Sequence, residues 1–238
     1  MNILIFAGAG ISAESGLSTF RDKDGLWTKY DPMEVCYLPH FIKIKNDEIQ
    51  RKKLFDFYNQ LKNTVDVAEP NQAHKEIYQW QQDFGVDRVK VVTSNVDDLF
   101  QKAGVQDVLQ IHGNLESTHC IACQHTWKDD FFYYDKRCPK CNSRLTKPNI
   151  VFFGENAPHY SKMHKIFNYK KRYANDFILV IGTSFNVIGA EDLVRRKNAK
   201  TILLNKDRTD DDHWFYHHFL GNATETIYSA GNIIKYYI

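Results

Sequence analysis

The chain has 238 residues, of which 43% are hydrophobic, 14% aromatic and 25% charged, with 12 Gly and 6 Pro. Those proportions suit one generous globular domain, or a large domain with a small insert, and exclude a disordered or fibrous chain. Thirty-one basic residues against 29 acidic ones leave a net charge of only +2, too even for phosphate-driven nucleic-acid binding, and no apolar run approaches the roughly 20 residues of a membrane span.

Met1-Asn2 leads straight into Ile3-Leu4-Ile5-Phe6, which reads as the first core strand and not as a secretory signal. The protein is therefore expected to work inside the cell. Gly8-Ala9-Gly10-Ile11-Ser12-Ala13 follows that strand and is predicted to open a helix. It matches the G-x-G-x-x-G/A loop, whose glycines let backbone amides approach a pyrophosphate at the positive end of a helix. A second strand ending in an acidic ribose ligand should come about 20 residues on. In its place, residues 19–27 are charged, contain Gly25 and lack strand periodicity. They read as a long loop of the kind that serves as a lid. A dinucleotide is expected to be consumed beneath it, not used as a reversible hydride carrier.

Residues 32–63 are mostly helical in pattern and lie between two sheet strands, which predicts a small helical insert. A helix is predicted over 71–83, capped by Asn71 after Pro70 and stopped by Gly85. Further apolar runs at 89–92, 108–111, 177–181 and 202–204 each end in small or polar residues, with helical patterns between them. The fold class is α/β: a Rossmann-like parallel sheet with helices on both faces. Ligands of such sheets sit beyond the carboxyl ends of the strands.

Two of those ends carry chemistry. Thr93-Ser94-Asn95-Val96-Asp97-Asp98 puts an amide and two carboxylates where a strand becomes a predicted helix at 97–103, a pattern that also suits plain capping. His112, between Ile111 and Gly113, supplies an imidazole, the side chain type suited to proton transfer near neutrality.

Four of the five cysteines form Cys120-x-x-Cys123 and Cys138-x-x-Cys141, with 14 residues between the pairs. In a cytosolic chain that spacing predicts one structural zinc ion, closed by four thiolates with no place for water or substrate. Residues from about 120 to 145 then form a separate zinc ribbon, with His119 and His125 as spare ligands. Cys36 reads as a small buried hydrophobe. His213, His217 and His218 include an i, i+4 pair but have no carboxylate or cysteine partner, so a second metal site is not expected.

Together these pieces resemble the sirtuin family, the NAD-dependent protein-lysine deacylases, in a bacterial-type catalytic core. The resemblance runs from Ile3 to about Ala223 through Gly8 to Gly16, Thr19-Phe20-Arg21, Gly25-Leu26-Trp27, Asn95-Val96-Asp97, His112-Gly113-Asn114, the cysteine quartet, Val151-Phe152-Phe153-Gly154-Glu155 and Gly182-Thr183-Ser184. It implies one catalytic domain over 1–238: a Rossmann-like part at 2–31, 64–115 and 146–238, the helical insert at 32–63 and the zinc module at 116–145.

The resemblance also implies roles. Gly8, Ala9, Gly10, Ile11 and Ser12 would hold the diphosphate of NAD+, with Glu14 and Ser15 completing the loop. Thr19, Phe20, Arg21 and Trp27 would belong to the lid. Ser94, Asn95, Val96 and Asp97 would line the nicotinamide pocket, Asn95 and Asp97 orienting the ribose. Gly182, Thr183 and Ser184 would bind phosphate and adenosine ribose, Asn205 a ribose hydroxyl and Ala223 the adenine region. Val151, Phe152, Phe153, Gly154 and Glu155 would pair by backbone with an acylated-lysine peptide. The acyl oxygen would attack the ribose as nicotinamide leaves, and His112 would act as general base on a ribose hydroxyl, giving free lysine and an O-acyl-ADP-ribose. A cytoplasmic monomer is expected, with no membrane and no specific nucleic acid as partner. An NAD-cleaving hydrolase or an ADP-ribosyltransferase is the competing reading, and the zinc module and peptide segment favour the deacylase.

Two positions depart from the family pattern. Ser94 stands where Gln is usual before the pocket Asn. Tyr58 stands where a Tyr-x-x-Arg pair would receive an acidic acyl group, but Leu61 replaces the Arg. Acetyl and longer neutral acyl groups are therefore expected to be preferred over succinyl.

Overall fold

The computed structural model describes residues 1–19, 26–168, 174–194 and 198–237. Its elements run β1 (Ile3–Ala7), a 3-10 helix (Ala9–Ser15), α1 (Leu26–Lys29), α2 (Pro32–Val35), α3 (Leu38–Lys43), α4 (Glu48–Val67), α5 (Gln72–Phe84), β2 (Val89–Thr93), α6 (Leu99–Lys102) and β3 (Leu109–Gln110). There follow β4 (Gly113–Cys120), β5 (Thr126–Lys128), β6 (Thr146–Ile150), α7 (Tyr160–Phe167), β7 (Phe177–Ile181), α8 (Ala190–Val194) and β8 (Lys200–Asn205). A second 3-10 helix (Asp212–Trp214), β9 (His217–Leu220) and α9 (Ala223–Tyr236) complete the chain. It divides into two compact units, one of 1–19, 69–111 and 158–238 and the other of 20–68 and 112–157.

The first unit holds a parallel six-stranded sheet in the order β3-β2-β1-β7-β8-β9. Strand order reverses between β1 and β7, the place where open α/β sheets bind ligands. Side chains of β1 alternate between two cores. Ile3, Ile5 and Ala7 pack with Ile77 and Trp80 of α5 and Ile227 and Ile234 of α9. Leu4 and Phe6 pack with Met163 and Phe167 of α7 and Leu193 of α8. Period-two alternation with both faces apolar is what a continuous apolar strand requires, and it puts helices on both faces as expected.

Three local expectations are adjusted. The helix after the glycine loop is a seven-residue 3-10 turn that ends at Gly16, whose φ of 85° is left-handed. Helix α6 starts at Leu99, two residues later than expected, because the Asp97 carboxylate accepts the Leu99 N–H at 3.1 Å. Strand β9 carries no apolar run because it is an edge, paired on one side only, and its residues alternate between half-buried and exposed. That strand also places His217 and His218 on opposite faces, so the i, i+4 spacing from His213 never lies on a helix.

The second unit combines α1 to α4 with an antiparallel sheet in the order β5-β4-β6. Asp47 caps the 20-residue helix α4 by accepting the Gln50 N–H. Pro148 sits in β6, and β6 is an edge strand, the position a sheet allows to proline. A parallel bridge joins Tyr37 to Phe153.

Candidate active site and metal centre

The glycine loop and the loop after β7 meet backbone to backbone. Gly8 N–H donates to the Ile181 carbonyl and Gly10 N–H to the Gly182 carbonyl, both at 2.9 Å. A Cβ on Gly10 would lie 2.7 Å from the Gly182 Cα, and one on Gly182, at φ +65°, would lie 2.4 Å from the Ile11 nitrogen. These glycines are therefore required first by packing at the switch point, and the Gly8 and Gly10 amides are spent there. The Asn205 carboxamide exchanges two bonds with the Thr183 backbone, accepting its N–H at 3.0 Å and donating to its carbonyl at 2.8 Å. Ser184 is exposed and accepts from Asn186.

Ser12, Asn95 and Asp97 form one buried network at the ends of β1 and β2. The Ser12 hydroxyl donates to Asp97 Oδ2 at 2.9 Å, and Asn95 Nδ2 donates to the Ser12 Oγ at 3.2 Å. Thr93 anchors the turn, its hydroxyl donating to the Ala7 carbonyl while accepting the Asn95 N–H. Ser94 turns its hydroxyl toward the Ala7 carbonyl at 3.4 Å. Burial pushes the Asp97 carboxyl up from its ordinary value, against the Leu99 N–H and the Ser12 hydroxyl, which stabilise the anion.

Among the described residues, Asn95 Oδ1 and Ser15 Oγ are buried here without a hydrogen-bond partner. A buried acceptor left unpaired costs about 1–3 kcal/mol, so Asn95 Oδ1 is suited to a donor from a ligand. The carboxamide N–H groups of a nicotinamide are such donors, and the residues present fit NAD. Sequence reading missed two supports of the loop. Asn71 caps α5 and also donates to the Ile11 carbonyl at 2.7 Å. Glu14 accepts both the N–H and the hydroxyl of Thr224, at 2.9 and 2.7 Å, tying the loop to the first turn of α9 beside the buried Ala223. Phe20 and Arg21 lie outside the described residues, as does the side chain of Trp27.

In the second unit, His112 occupies the turn before β4, half-buried, and its carbonyl accepts the Val151 N–H at 2.9 Å. The 151–155 segment is heavily bonded already. Phe153 N–H donates to the Cys36 carbonyl at 2.8 Å, and its own carbonyl accepts the Leu38 N–H at 3.0 Å. Phe152 N–H donates to Glu155 Oε2 at 2.9 Å. Tyr58 is buried, stacks on Phe152 with ring centroids 5.8 Å apart, and donates its hydroxyl to the Val35 carbonyl at 2.9 Å. Leu61 is half-buried. Cys36 is buried too, and burial pushes its thiol up, away from nucleophilic use.

The four paired cysteines converge as expected. Their sulfurs all lie within 4.8 Å of one another, with Cys120–Cys141 and Cys123–Cys138 each at 3.6 Å. Zinc–sulfur bonds of about 2.3 Å set at tetrahedral angles require sulfurs about 3.8 Å apart, so the quartet fits one zinc ion. Each pair is a matched knuckle. Gln124 and Asn142, directly after Cys123 and Cys141, both adopt φ 60°. Their amides return to the Cys120 and Cys138 carbonyls at 2.8 and 2.9 Å. His125 stacks on Trp127 and His119 contacts Thr126, so neither joins the cluster. Asp129 buttresses the ribbon, accepting from Thr118, Trp127 and Lys136.

Residues 8–189 match the model of the Sir2 family. The NAD-dependent protein deacylase of Campylobacter jejuni (strain RM1221) is 40% identical over 188 residues, 79% of this chain and 76% of that one. NAD-dependent protein deacylase 2 of Archaeoglobus fulgidus is 35% identical over 233 residues, covering 94% of this chain and 87% of the relative. A solved mutant Sir2 homologue in complex with 2′-O-acetyl ADP ribose superposes with a TM-score of 0.80 at 29% identity, over 99% of this chain and 92% of that one.

Proposed function

This chain belongs to the Sir2 family, and from that membership we propose how its own residues carry out NAD-dependent deacylation of protein lysines. The observation that carries the reading is the buried Ser12–Asn95–Asp97 network with its unpaired Asn95 Oδ1. NAD, when bound, supplies a ribose carbon at which nicotinamide is exchanged for the acyl oxygen of the substrate. With NAD bound, Asn95 Oδ1 would be open to a donor such as the nicotinamide carboxamide, and Asp97, held by Ser12, would present a buried carboxylate to the ribose. The glycine loop and Ser12 would hold the diphosphate through groups other than the Gly8 and Gly10 amides and the Ser12 hydroxyl, which the fold already uses, while Asn205 would act on the nucleotide by fixing the Thr183 backbone. Glu14 sets the loop against α9 and Ala223. Phe20, Arg21 and Trp27 would cover the nicotinamide end. His112 would take the proton of a ribose hydroxyl, so that this oxygen attacks the acyl carbon; the lysine nitrogen would then leave with a proton, and one water would complete the O-acyl-ADP-ribose.

The substrates are acylated-lysine proteins or peptides, received by residues 151–155. Pairing there would run through the backbone, which reads no side chains and suits broad sequence tolerance, although most amides of the segment are already bonded within the protein and leave few rungs for affinity. Zinc closes the Cys120, Cys123, Cys138 and Cys141 quartet and does structural work only. Residues 32–63 and 116–145 are read as inserts in the 1–238 catalytic domain, whose Rossmann-like part holds the six-stranded parallel sheet. The protein acts as a cytoplasmic monomer without nucleic-acid or membrane partners, and no helix among the described residues is long and apolar enough to cross a membrane. Mass spectrometry of a reaction with NAD and an acetyl-lysine peptide is expected to find O-acetyl-ADP-ribose in step with free lysine. Free acetate with plain ADP-ribose as the primary products would overturn the transfer.

A further inference from the structure

Lys147 has no place in the catalytic scheme, yet only 2% of its side chain is exposed. Burying an ammonium costs several kcal/mol unless partners receive it, so its partners show what it is for. Its Nζ lies 3.1 Å from Glu155 Oε2 and donates to the carbonyls of Ile150 and, at 3.4 Å, of Pro148. It also sits 4.4 Å from the centroid of the Phe152 ring, whose flanks are Tyr58 and Phe41. The same Glu155 oxygen accepts the Phe152 N–H, and the Glu155 N–H donates to the Phe152 carbonyl at 3.0 Å. Burial drives the Lys147 pKa down while Glu155 pulls it back up.

Among the described residues, the hydrogen bonds, ion pair and ring contact of the ammonium thus fall on the strand leading into residues 151–155 or on that segment. Phe153 is held from the other side by Cys36 and Leu38. The turn at Gly154, with φ +81°, is fixed at both ends, and its own N–H and the half-exposed Phe153 ring remain for a ligand. We propose that Lys147, through its ion pair with Glu155, is a positioning residue for the acyl-peptide, presetting the 152–155 turn in its binding conformation. This rests on the reading of residues 151–155 as the peptide-pairing segment. A preset turn spares the peptide the ordering cost on binding, so the ion pair acts on peptide affinity and not on NAD.

The test is steady-state kinetics of Lys147→Met, Glu155→Gln and the double variant, varying acetyl-peptide and NAD separately, with melting temperature and zinc content alongside. Lys147→Met is expected to raise the peptide KM about tenfold, equivalent to about 1.4 kcal/mol, with the NAD KM and kcat within twofold of the parent. Glu155→Gln, which keeps an acceptor for Phe152 but strands the ammonium, is expected to raise the peptide KM similarly. The double variant is expected to lose less than the sum. An unchanged peptide KM in either single variant, or equal losses in both substrates' KM, overturns the positioning role. If Lys147→Met does not fold, Glu155→Gln decides. Failure of the parent protein to use acyl-peptide at all would instead overturn the deacylase reading itself.

Discussion

Ser12 and Asp97 stand 85 positions apart in the chain, yet the Ser12 hydroxyl donates to the Asp97 carboxylate across 2.9 Å, with both side chains buried. The bond joins the loop after β1 to the loop after β2 and favours the charged form of a carboxyl that burial opposes. Ser12→Ala removes the donor, so the Asp97 pKa rises further. The acidic limb of the kcat/KM profile for NAD is expected to move to higher pH, with a loss of about tenfold to a hundredfold at neutrality. A profile that keeps its acidic limb would show that Asp97 does not titrate in the reaction.

Two glycines with positive φ separate conformation from packing. A Cβ on Gly16 would meet open space, whereas one on Gly182 would press into the Ile11 nitrogen. Gly16→Ala is expected to cost about 1 kcal/mol for the left-handed backbone alone. Gly182→Ala adds displacement of the glycine loop and is expected to cost at least about 2 kcal/mol and to weaken NAD binding. Chemical denaturation of both variants makes the comparison; equal costs would mean the switch-point contact is not needed.

Much of this organisation is legible in the amino-acid sequence alone. Strands β1, β7 and β8 are continuous apolar runs because both faces of the sheet are covered, and the cysteine knuckles announce themselves by spacing. Strand β9 is not legible because an edge needs no apolar run. Lys147 and the second bond of Asn71 are not legible either, since their partners, Glu155 and Ile11, are chosen by folding and not by a local pattern. The glycine loop is recognisable, but its primary reason, the approach to Gly182, lies 172 positions away in the loop after β7.

His74 offers a pH signature of folding. It is wholly buried against Phe100, with Nδ1 on Asn71, and burial lowers its pKa to about 4. The unfolded chain binds this proton more tightly, so the contribution is complete above the ordinary value of about 6.5 and is lost as pH falls toward 4. The loss approaches about 3 kcal/mol. Denaturation of the parent and of His74→Leu between those pH values is expected to show a shallower slope in the variant. Parallel slopes would rule out a neutral buried His74.

If, as proposed, Tyr58 and Leu61 meet the acyl chain, Leu61 offers no charge and the Tyr58 hydroxyl already donates to the Val35 carbonyl. The nearby ammonium groups of Lys52 and Lys62 are paired with Asp56 and Asp66. A carboxylate entering here gives up water without a guanidinium to receive it, while each buried CH₂ of a neutral chain gains about 0.8 kcal/mol. On one peptide, acetyl and butyryl lysine are expected to exceed succinyl lysine in kcat/KM, and Leu61→Arg to shift the ratio toward succinyl. A succinyl preference in the parent would contradict this.

Zinc analysis of the native protein is expected to find about one ion per chain. Its removal by a chelator, or any of the four Cys→Ala changes, should first destabilise the β4–β6 sheet, because structural zinc contributes folding free energy directly. Native protein without zinc, or chelation without loss of stability, would contradict the assignment.

Most directly, nicotinamide release from NAD can be followed with and without an acetyl-lysine peptide, in the parent and in zinc-loaded, folded His112→Ala. The parent is expected to release nicotinamide in step with deacetylation and only when the acylated peptide is present, and His112→Ala to give little or no free lysine. Rapid NAD cleavage without peptide, or near-normal deacetylation by His112→Ala, would contradict the account.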